Sequence, residues 1–230
     1  MGNLFERKRM EPMMRHDLKS SMFFNNDGLF AEADRIILRR PAESNVPGFI
    51  KAFSAASPAI AKWYEDNSKA RDLYWQSIND EKSLYCSICS KQNGEFFGYC
   101  TIEDLEKYPF ELGINLIAKH HSQGIGSEAI AAFMQGFEEI AGPTEFLARI
   151  ESRNSRSQHM FRKLGFIPAG IDAFLIDDPG MLEKLEEMQL DCIDANLRTV
   201  AEEFGVEPRV LLSHLLVFKR PISLQHANPK

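Results

Sequence analysis

The turn His121–Ser127 (HSQGIGS) constrains this chain more than any other segment. The alternating residues Phe110–Ile117 before it predict a strand, and apolar residues at helical spacing in Glu128–Phe137 predict a helix after it. Its two glycines allow a tight turn and a close approach of the backbone to a ligand. Unpaired N–H groups at the start of a helix attract anions. The turn therefore predicts a site for phosphate or pyrophosphate, although a purely structural turn has the same pattern.

The turn differs from the two most familiar phosphate-binding motifs. It lacks the Gly-Lys-Ser/Thr ending of a P-loop and the third glycine of the dinucleotide fingerprint. A second segment, Ala148–Phe166, adds information. Its pattern predicts a strand, a polar turn from Asn154 to Ser157, and a short helix closed by Gly165.

Taken together, the two segments resemble the GNAT superfamily of acetyl-CoA-dependent N-acetyltransferases. That family's signature is (Gln/Arg)-x-x-Gly-x-(Gly/Ala), followed by Asn-x-x-(Ser/Ala) and Leu-Gly-Phe. The residues that match, in the same order, are Gly124, Gly126, Asn154, Ser157 and Leu164-Gly165-Phe166. Glu111-Leu112-Gly113 and Arg35–Arg39 resemble the subgroup that includes the ribosomal-protein N-terminal acetyltransferases. The resemblance covers residues 34–170 and a last strand near 211–220.

The resemblance implies the α/β (α+β) GNAT fold. Its central sheet is mixed, mostly antiparallel and twisted, with six to seven strands flanked by helices. We predict a single domain over residues 30–230, after an N-terminal extension, 1–29, whose charged and Asn/Gly-rich pieces favour mobility. A helical insertion over 172–208 precedes the last strand. It is expected to form a lid or a dimer contact, or else only to pack on the core.

Local patterns predict most of the individual elements. The region 41–79 is expected to form two helices, and Asn93-Gly94 is typical of a hairpin between two strands. Asp178 and Pro179 are typical of a helix start. The predicted strands are 35–39, 84–90, 95–102, 110–117, 145–150, one that begins at 166, and 211–220.

The activity that the resemblance implies is transfer of an acetyl group from acetyl-CoA directly to a primary amine of a small molecule, peptide or protein. Backbone N–H groups of the turn would hold the pyrophosphate, Asn154 would contact the pantetheine arm, and an N–H near Leu116–Ile117 would hold the carbonyl oxygen. The expected cofactor contacts are Leu116, Ile117, His121, Ser122, Gln123, Gly124, Ile125, Gly126, Ser127, Asn154 and Phe161.

Two catalytic residues follow from the same resemblance. Glu111 is the candidate base, and its alternative role is a surface carboxylate or an ion-pair partner. Ser157 is the candidate group that protonates or holds the leaving sulfur, and its alternative role is a helix cap. His121 replaces the family's Gln/Arg, and Phe161 replaces a tyrosine that donates a proton in many members. These departures suggest a second function, a catalytically weak acetyl-CoA-binding regulatory protein.

Composition excludes several other classes. The net charge of −6 argues against nucleic-acid and anionic-membrane partners, and the acidic flanks of Thr199–Leu211 argue against its helix-turn-helix pattern. No apolar run has the length of a membrane span and no signal peptide is visible, so we expect a cytoplasmic protein. Cys86 and Cys89 fall on one predicted strand and would point to opposite faces, so we expect no metal. A homodimer remains one expectation for the assembly.

Overall fold

The computed structural model describes residues 17–54, 57–173 and 178–222. Its strands are β1 (Leu29–Glu32), β2 (Ile36–Arg39), β3 (Leu84–Ser90), β4 (Phe96–Ile102), β5 (Phe110–Leu116), β6 (Phe146–Glu151), β7 (Ile167–Ala173) and β8 (His214–Arg220). Its helices are α1 (Val46–Phe53), α2 (Pro58–Asp66), α3 (Ser68–Ile78), α4 (Ile125–Ala141), α5 (Ser155–Lys163), α6 (Pro179–Glu187) and α7 (Ala195–Phe204).

The strands form one sheet in the order β1-β2-β3-β4-β5-β6-β8-β7. Neighbouring strands are antiparallel except for β5 and β6, which are parallel and pair only through Phe110–Phe146 and Glu111–Leu147. The predicted fold class is confirmed. The described sheet has eight strands rather than six to seven because β1, which begins inside the predicted extension, pairs with β2.

Helix α4 forms the centre of the core on one face of the sheet. Its apolar residues recur at helical spacing, and Ile130, Phe133 and Phe137 are fully buried. Phe137 also packs against Phe23, with ring centroids 4.8 Å apart and an interplanar angle of 11°. Because Phe23 and Leu18 are buried in this same core, the domain extends to the N-terminal side of residue 30.

The opposite face of the sheet is covered by α1, α2 and α3. The sequence predicts two helices here, but three are present. Pro58 starts α2, and the Asn67 side chain accepts a hydrogen bond from the N–H of Ala70 to cap α3. The stacked rings of Phe49 and Tyr99, with centroids 4.5 Å apart, attach α1 to β4.

The insertion before the last strand consists of α6 and α7. As predicted, the Asp178 carboxylate caps α6 by accepting the Met181 N–H at 2.9 Å. Ala173 ends β7, so the helical part begins after the predicted position 172, and residues 174–177 lie outside the described part. After α7, a single 3-10 turn at Val210–Leu212 precedes β8, so residues 199–211 contain no second α-helix. Among the described helices, none combines the length and the apolar character that crossing a bilayer requires.

Candidate active site

The site lies where β5 and β6 stop pairing. The Ile117 N–H donates to the Phe97 carbonyl on β4 at 2.9 Å. Because hydrogen-bonded and non-bonded pairs alternate along an antiparallel ladder, the backbone groups of Ile114 and Leu116 face away from β4, towards β6. The separation of β5 from β6 beyond Glu111 therefore leaves these backbone groups lining a gap.

The turn before α4 presents a row of N–H groups next to this gap. Gly124 has φ +77°, a left-handed conformation that favours glycine, and α4 begins at the next residue. The first intrahelical bond runs from the Glu128 N–H to the Gly124 carbonyl. Within the described part of the chain, the N–H groups of residues 122–127 have no acceptor. Six donors at the positive end of a helix form an anion site.

Arg35 holds the outer side of this turn. Its Nε donates to the Glu128 carboxylate at 2.7 Å, and its Nη1 donates to the Gln123 carbonyl at 2.9 Å. The backbone N–H of Arg35 donates to the same carboxylate at 2.7 Å. The guanidinium therefore compensates a negative charge in the first turn of α4 that would otherwise oppose a bound anion.

His121 connects the turn to both walls of the gap. Its Nε2 lies 2.9 Å from the Leu116 carbonyl oxygen and its Nδ1 lies 2.9 Å from Nη1 of Arg156. Since a carbonyl can only accept and a guanidinium can only donate, the ring carries its proton on Nε2. The His121 N–H itself donates to the Ala118 carbonyl. The expectation that this N–H serves the pyrophosphate is therefore wrong, and the residue offers the site its side chain.

These elements surround a cavity of about 740 Å³. None of its described lining residues is acidic, whereas four carry imidazole, guanidinium or ammonium groups. Its lining comprises Ala52, Ile114, Asn115, Leu116, His121, Ser122, Gly124, Gly126, Ser127, Asn154, Ser155, Arg156, Ser157, His159, Met160 and Lys163. A cavity of this size and charge suits an anionic ligand of cofactor size.

The predicted cofactor residues divide into two groups. Those that line the cavity are Leu116, His121, Ser122, Gly124, Gly126, Ser127 and Asn154. Gln123, Ile117, Ile125 and Phe161 do not line it. The Gln123 side chain donates to the Lys119 carbonyl, and Ile125 is buried in the core, so each offers the ligand only its N–H.

Two further expectations need correction. The Ile117 N–H is already bonded to Phe97, so it is unavailable for a carbonyl oxygen. Phe161 has only 3% of its surface exposed and packs edge-to-face on Phe166, with centroids 4.9 Å apart. Its ring belongs to the core because the helical spacing of α5 directs it towards the sheet.

All four residues of the Asn154–Ser157 turn line the cavity, among them the two with predicted roles, Asn154 and Ser157. The Asn154 carboxamide oxygen accepts the Ser157 N–H at 3.1 Å and so caps α5. The cap is thus supplied by Asn154, and Ser157 is left with a hydroxyl that has no partner among the described residues. Both residues line the cavity, as their predicted roles require.

Glu111 lies outside the cavity, on the face of β5 opposite to the side chains of Ile114 and Leu116. Its carboxylate accepts from Nε of Arg149 at 2.9 Å, and Nη1 of Arg149 also donates to Asp172 at 3.1 Å. This geometry favours the ion-pair alternative, because the carboxylate is already bonded to a guanidinium.

Glu103, which the sequence interpretation missed, is the next carboxylate on that face. Continuing the β4–β5 register, in which Thr101 pairs with Gly113, brings it opposite Glu111. Desolvation raises the pKa of the Glu103 carboxyl, and the charge of Glu111 raises it further, while Arg149 lowers it. A sequence signal existed, since residues 101, 111 and 113 share one face of two predicted strands and residue 103 directly follows the first of them in the same alternation.

Three tyrosines lie near the acidic surface that Glu103, Glu111 and Asp172 form. Burial raises the pKa of Tyr74 to about 12 and that of Tyr85 and Tyr99 well above its ordinary value, and Glu103 adds to each shift. The Tyr99 hydroxyl also accepts from the Asn115 side chain at 3.1 Å. These phenols stay neutral, so they contribute hydrogen bonds and ring surface rather than charge.

Comparisons with known proteins agree with this fold. A family model described as an acetyltransferase (GNAT) domain matches residues 35–167. No curated protein matches the sequence. The structure is similar to that of the microcin C7 self-immunity acetyltransferase MccE in complex with acetyl-CoA and AMP, with a TM-score of 0.55 at 16% identity over 83% of this chain and 94% of that one.

Two other solved structures are similar to the same extent. For the ribosomal L7/L12 alpha-N-protein acetyltransferase RimL in complex with CoA, the TM-score is 0.57 at 14% identity over 84% of this chain and 98% of the other. For a putative GNAT-family acetyltransferase from Bordetella pertussis, it is 0.55 at 14% identity, with 82% and 97% covered.

Proposed function

Because the chain belongs to the GNAT acetyltransferase family, we propose that it transfers an acetyl group from acetyl-CoA directly to a primary amine of a small molecule, a peptide or a protein. The observation that carries the proposal is the cavity at the β5–β6 gap, where unpaired N–H groups of residues 122–127 meet basic side chains. MccE was solved with acetyl-CoA and RimL with CoA, which supports the same ligand here.

The N–H groups of the turn would bind the diphosphate, and the Asn154 side chain would contact the pantetheine arm. The N–H of Leu116 or Ile114 would then donate to the thioester oxygen, since both face the gap. These donors are fixed before the ligand arrives, so they stabilise the oxygen as negative charge develops on it without reorganisation. His121 keeps the end of β5 in place through the Leu116 carbonyl.

The acceptor would approach from the face of the sheet that carries Glu111. Three carboxylates, those of Glu103, Glu111 and Asp172, surround a single guanidinium there, that of Arg149, so the surface has a net negative charge. This acidic surface attracts the ammonium form of an amine. We assign the proton-accepting role to Glu103 rather than to Glu111, since a raised carboxyl pKa brings a base closer to neutral pH. Glu111, held by Arg149, contributes the charge that increases the proton affinity of Glu103.

In this reaction the neutral amine forms a C–N bond to the thioester carbon and the C–S bond breaks. The amine proton reaches Glu103 through a chain of waters, because Ile114 lies about 10 Å along β5 from the position of Glu111. The leaving thiolate takes a proton from the Ser157 hydroxyl or from water held there. Phe161 has no proton to donate, so the serine carries the role that a tyrosine has in many members of the family.

The test is a screen that measures free thiol released from acetyl-CoA with a panel of amines, polyamines and short peptides. We expect release with at least one amine and a loss of turnover of roughly 100-fold in Glu103→Gln. Glu106→Gln is the matched control, because Glu106 is an exposed carboxylate that pairs with Lys82 away from the gap. Tight binding of acetyl-CoA with no turnover over the whole panel would contradict the proposal and support the regulatory alternative.

A further inference from the structure

One side of α5 presents a basic stripe to the cavity. Arg156, His159 and Lys163 all line it, and their spacing of three and four residues brings them onto one helix face. All three are exposed. The stripe extends about 10 Å along the helix axis, so its far end is a different place from the turn before α4.

The cations of this stripe are uncompensated. The neighbouring Arg162, on another face of α5, is paired with Glu203, at 2.5 Å. Within the described part of the chain, by contrast, Arg156 and Lys163 have no acidic partner. Among the described residues, the one hydrogen bond that either side chain makes runs from Arg156 to Nδ1 of His121. Since no described lining residue of the cavity is acidic, two unpaired positive charges face an anion-binding space.

The cavity therefore contains two anion sites of different chemistry. The turn before α4 offers neutral N–H donors and the end of a helix dipole, which suit a diphosphate bound along the backbone. The stripe offers a guanidinium fork and an ammonium group, which suit an isolated, more highly charged phosphate. Arg156 is held by His121, so part of its guanidinium is already oriented.

We propose that Arg156 and Lys163 bind the 3′-phosphate of coenzyme A and make the protein selective for CoA thioesters over their 3′-dephospho forms. This inference rests on the proposed function. The ligand of that function carries one phosphate monoester besides its diphosphate, and the turn already has donors for the diphosphate. The positive charges of the stripe are left to bind the phosphate monoester.

The experiment measures the affinity of the full chain for CoA and for 3′-dephospho-CoA by titration calorimetry. We expect the wild type to prefer CoA by roughly tenfold or more. We expect this preference to shrink as NaCl increases, because salt screens exposed charges. In Lys163→Gln, the preference for CoA should fall while the affinity for 3′-dephospho-CoA stays unchanged. In the double variant Arg156→Gln/Lys163→Gln, the preference should fall further, towards one. Lys107→Gln is the matched control, since it removes one exposed positive charge from the β4–β5 connection.

Equal affinity of the wild type for both ligands would overturn the inference and leave the proposed function intact. An equal loss of both affinities in Lys163→Gln would also overturn it, since that lysine would then serve a group shared by the two ligands. Binding of neither ligand to the wild type would overturn the proposed function together with the inference.

Discussion

Nε of Arg149 donates to the Glu111 carboxylate at 2.9 Å, across the point where β5 and β6 stop pairing. The same guanidinium reaches Asp172 on β7 at 3.1 Å. On this face of the sheet, the gap is therefore spanned by charged side chains instead of a backbone ladder. With Arg149 shared between Glu111 and Asp172, Glu103 is the carboxylate of this group whose pKa is raised.

Glu111→Gln is expected to move the acid limb of the pH–rate profile to lower pH. The charge of Glu111 raises the pKa of Glu103, so removing it lowers that pKa and keeps the base deprotonated in more acidic solution. Turnover at high pH should change far less than in Glu103→Gln. A profile of kcat against pH checks this, and an unshifted limb with a 100-fold loss at every pH would restore Glu111 as the base.

Gly126→Glu is expected to abolish acetyl-CoA binding without unfolding the protein. A Cβ at Gly126 would meet the Met160 sulfur at 3.1 Å, and the longer side chain would enter the cavity with a negative charge. Gly180→Glu is a matched control, because Gly180 holds the same second position of α6, away from the cavity. Calorimetric affinity decides the outcome, and a Gly126→Glu protein that binds as well as wild type would refute the anion site.

The sequence predicts the backbone part of the site because that part is local. Gly124 and Gly126 reveal a tight turn before a helix, and Asn154 reveals a cap, without any knowledge of distant contacts. Each of these features depends on residues that are neighbours in the chain.

The side-chain part of the site could not be predicted in the same way. Arg35 is 93 residues from Glu128, and Arg156 is 35 residues from His121, so only the fold brings these partners together. The role of Glu111 could not be predicted either. Its motif position suggests a base, but its ion pair is with Arg149, which is 38 residues away in the sequence. A residue type at a motif position indicates a role, but its charge environment is decided by tertiary contacts.

Arg35→Met is expected to raise the KM for acetyl-CoA roughly fivefold and to leave kcat nearly unchanged. Without the guanidinium, Glu128 carries an uncompensated negative charge in the first turn of α4. Adding Glu128→Gln should recover most of the loss, since it removes that charge. Lys82→Met breaks an exposed ion pair away from the site and serves as the control. A double variant as weak as Arg35→Met would mean that the arginine acts on the turn only through Gln123.

Ser157→Ala is expected to lower kcat by roughly 100-fold, with little change in KM. Its hydroxyl lines the cavity while Asn154 supplies the helix cap, so the substitution removes chemistry rather than structure. Adding Phe161→Tyr should not restore turnover. The Phe161 ring is buried, and a hydroxyl buried there without a partner should cost about 1–3 kcal/mol of stability. Steady-state rates measure the catalytic effect and thermal unfolding measures the effect on stability. A wild-type kcat in Ser157→Ala would show that the serine does not protonate the leaving thiolate.

Phe23→Ala is expected to lower the free energy of unfolding by about 3–5 kcal/mol while leaving the kcat of the folded protein unchanged. Phe23 is 2% exposed and stacks on Phe137 of α4, so its removal opens a cavity in the main core. Met22→Ala is the adjacent control, because Met22 is 43% exposed and its truncation should cost less than about 0.5 kcal/mol. Urea denaturation of both variants measures the difference. Equal stabilities of the two variants would mean that the segment before residue 30 does not contribute to the core. The expected difference in stability would make this segment a structural part of the domain, one that supports α4 and the turn at its start.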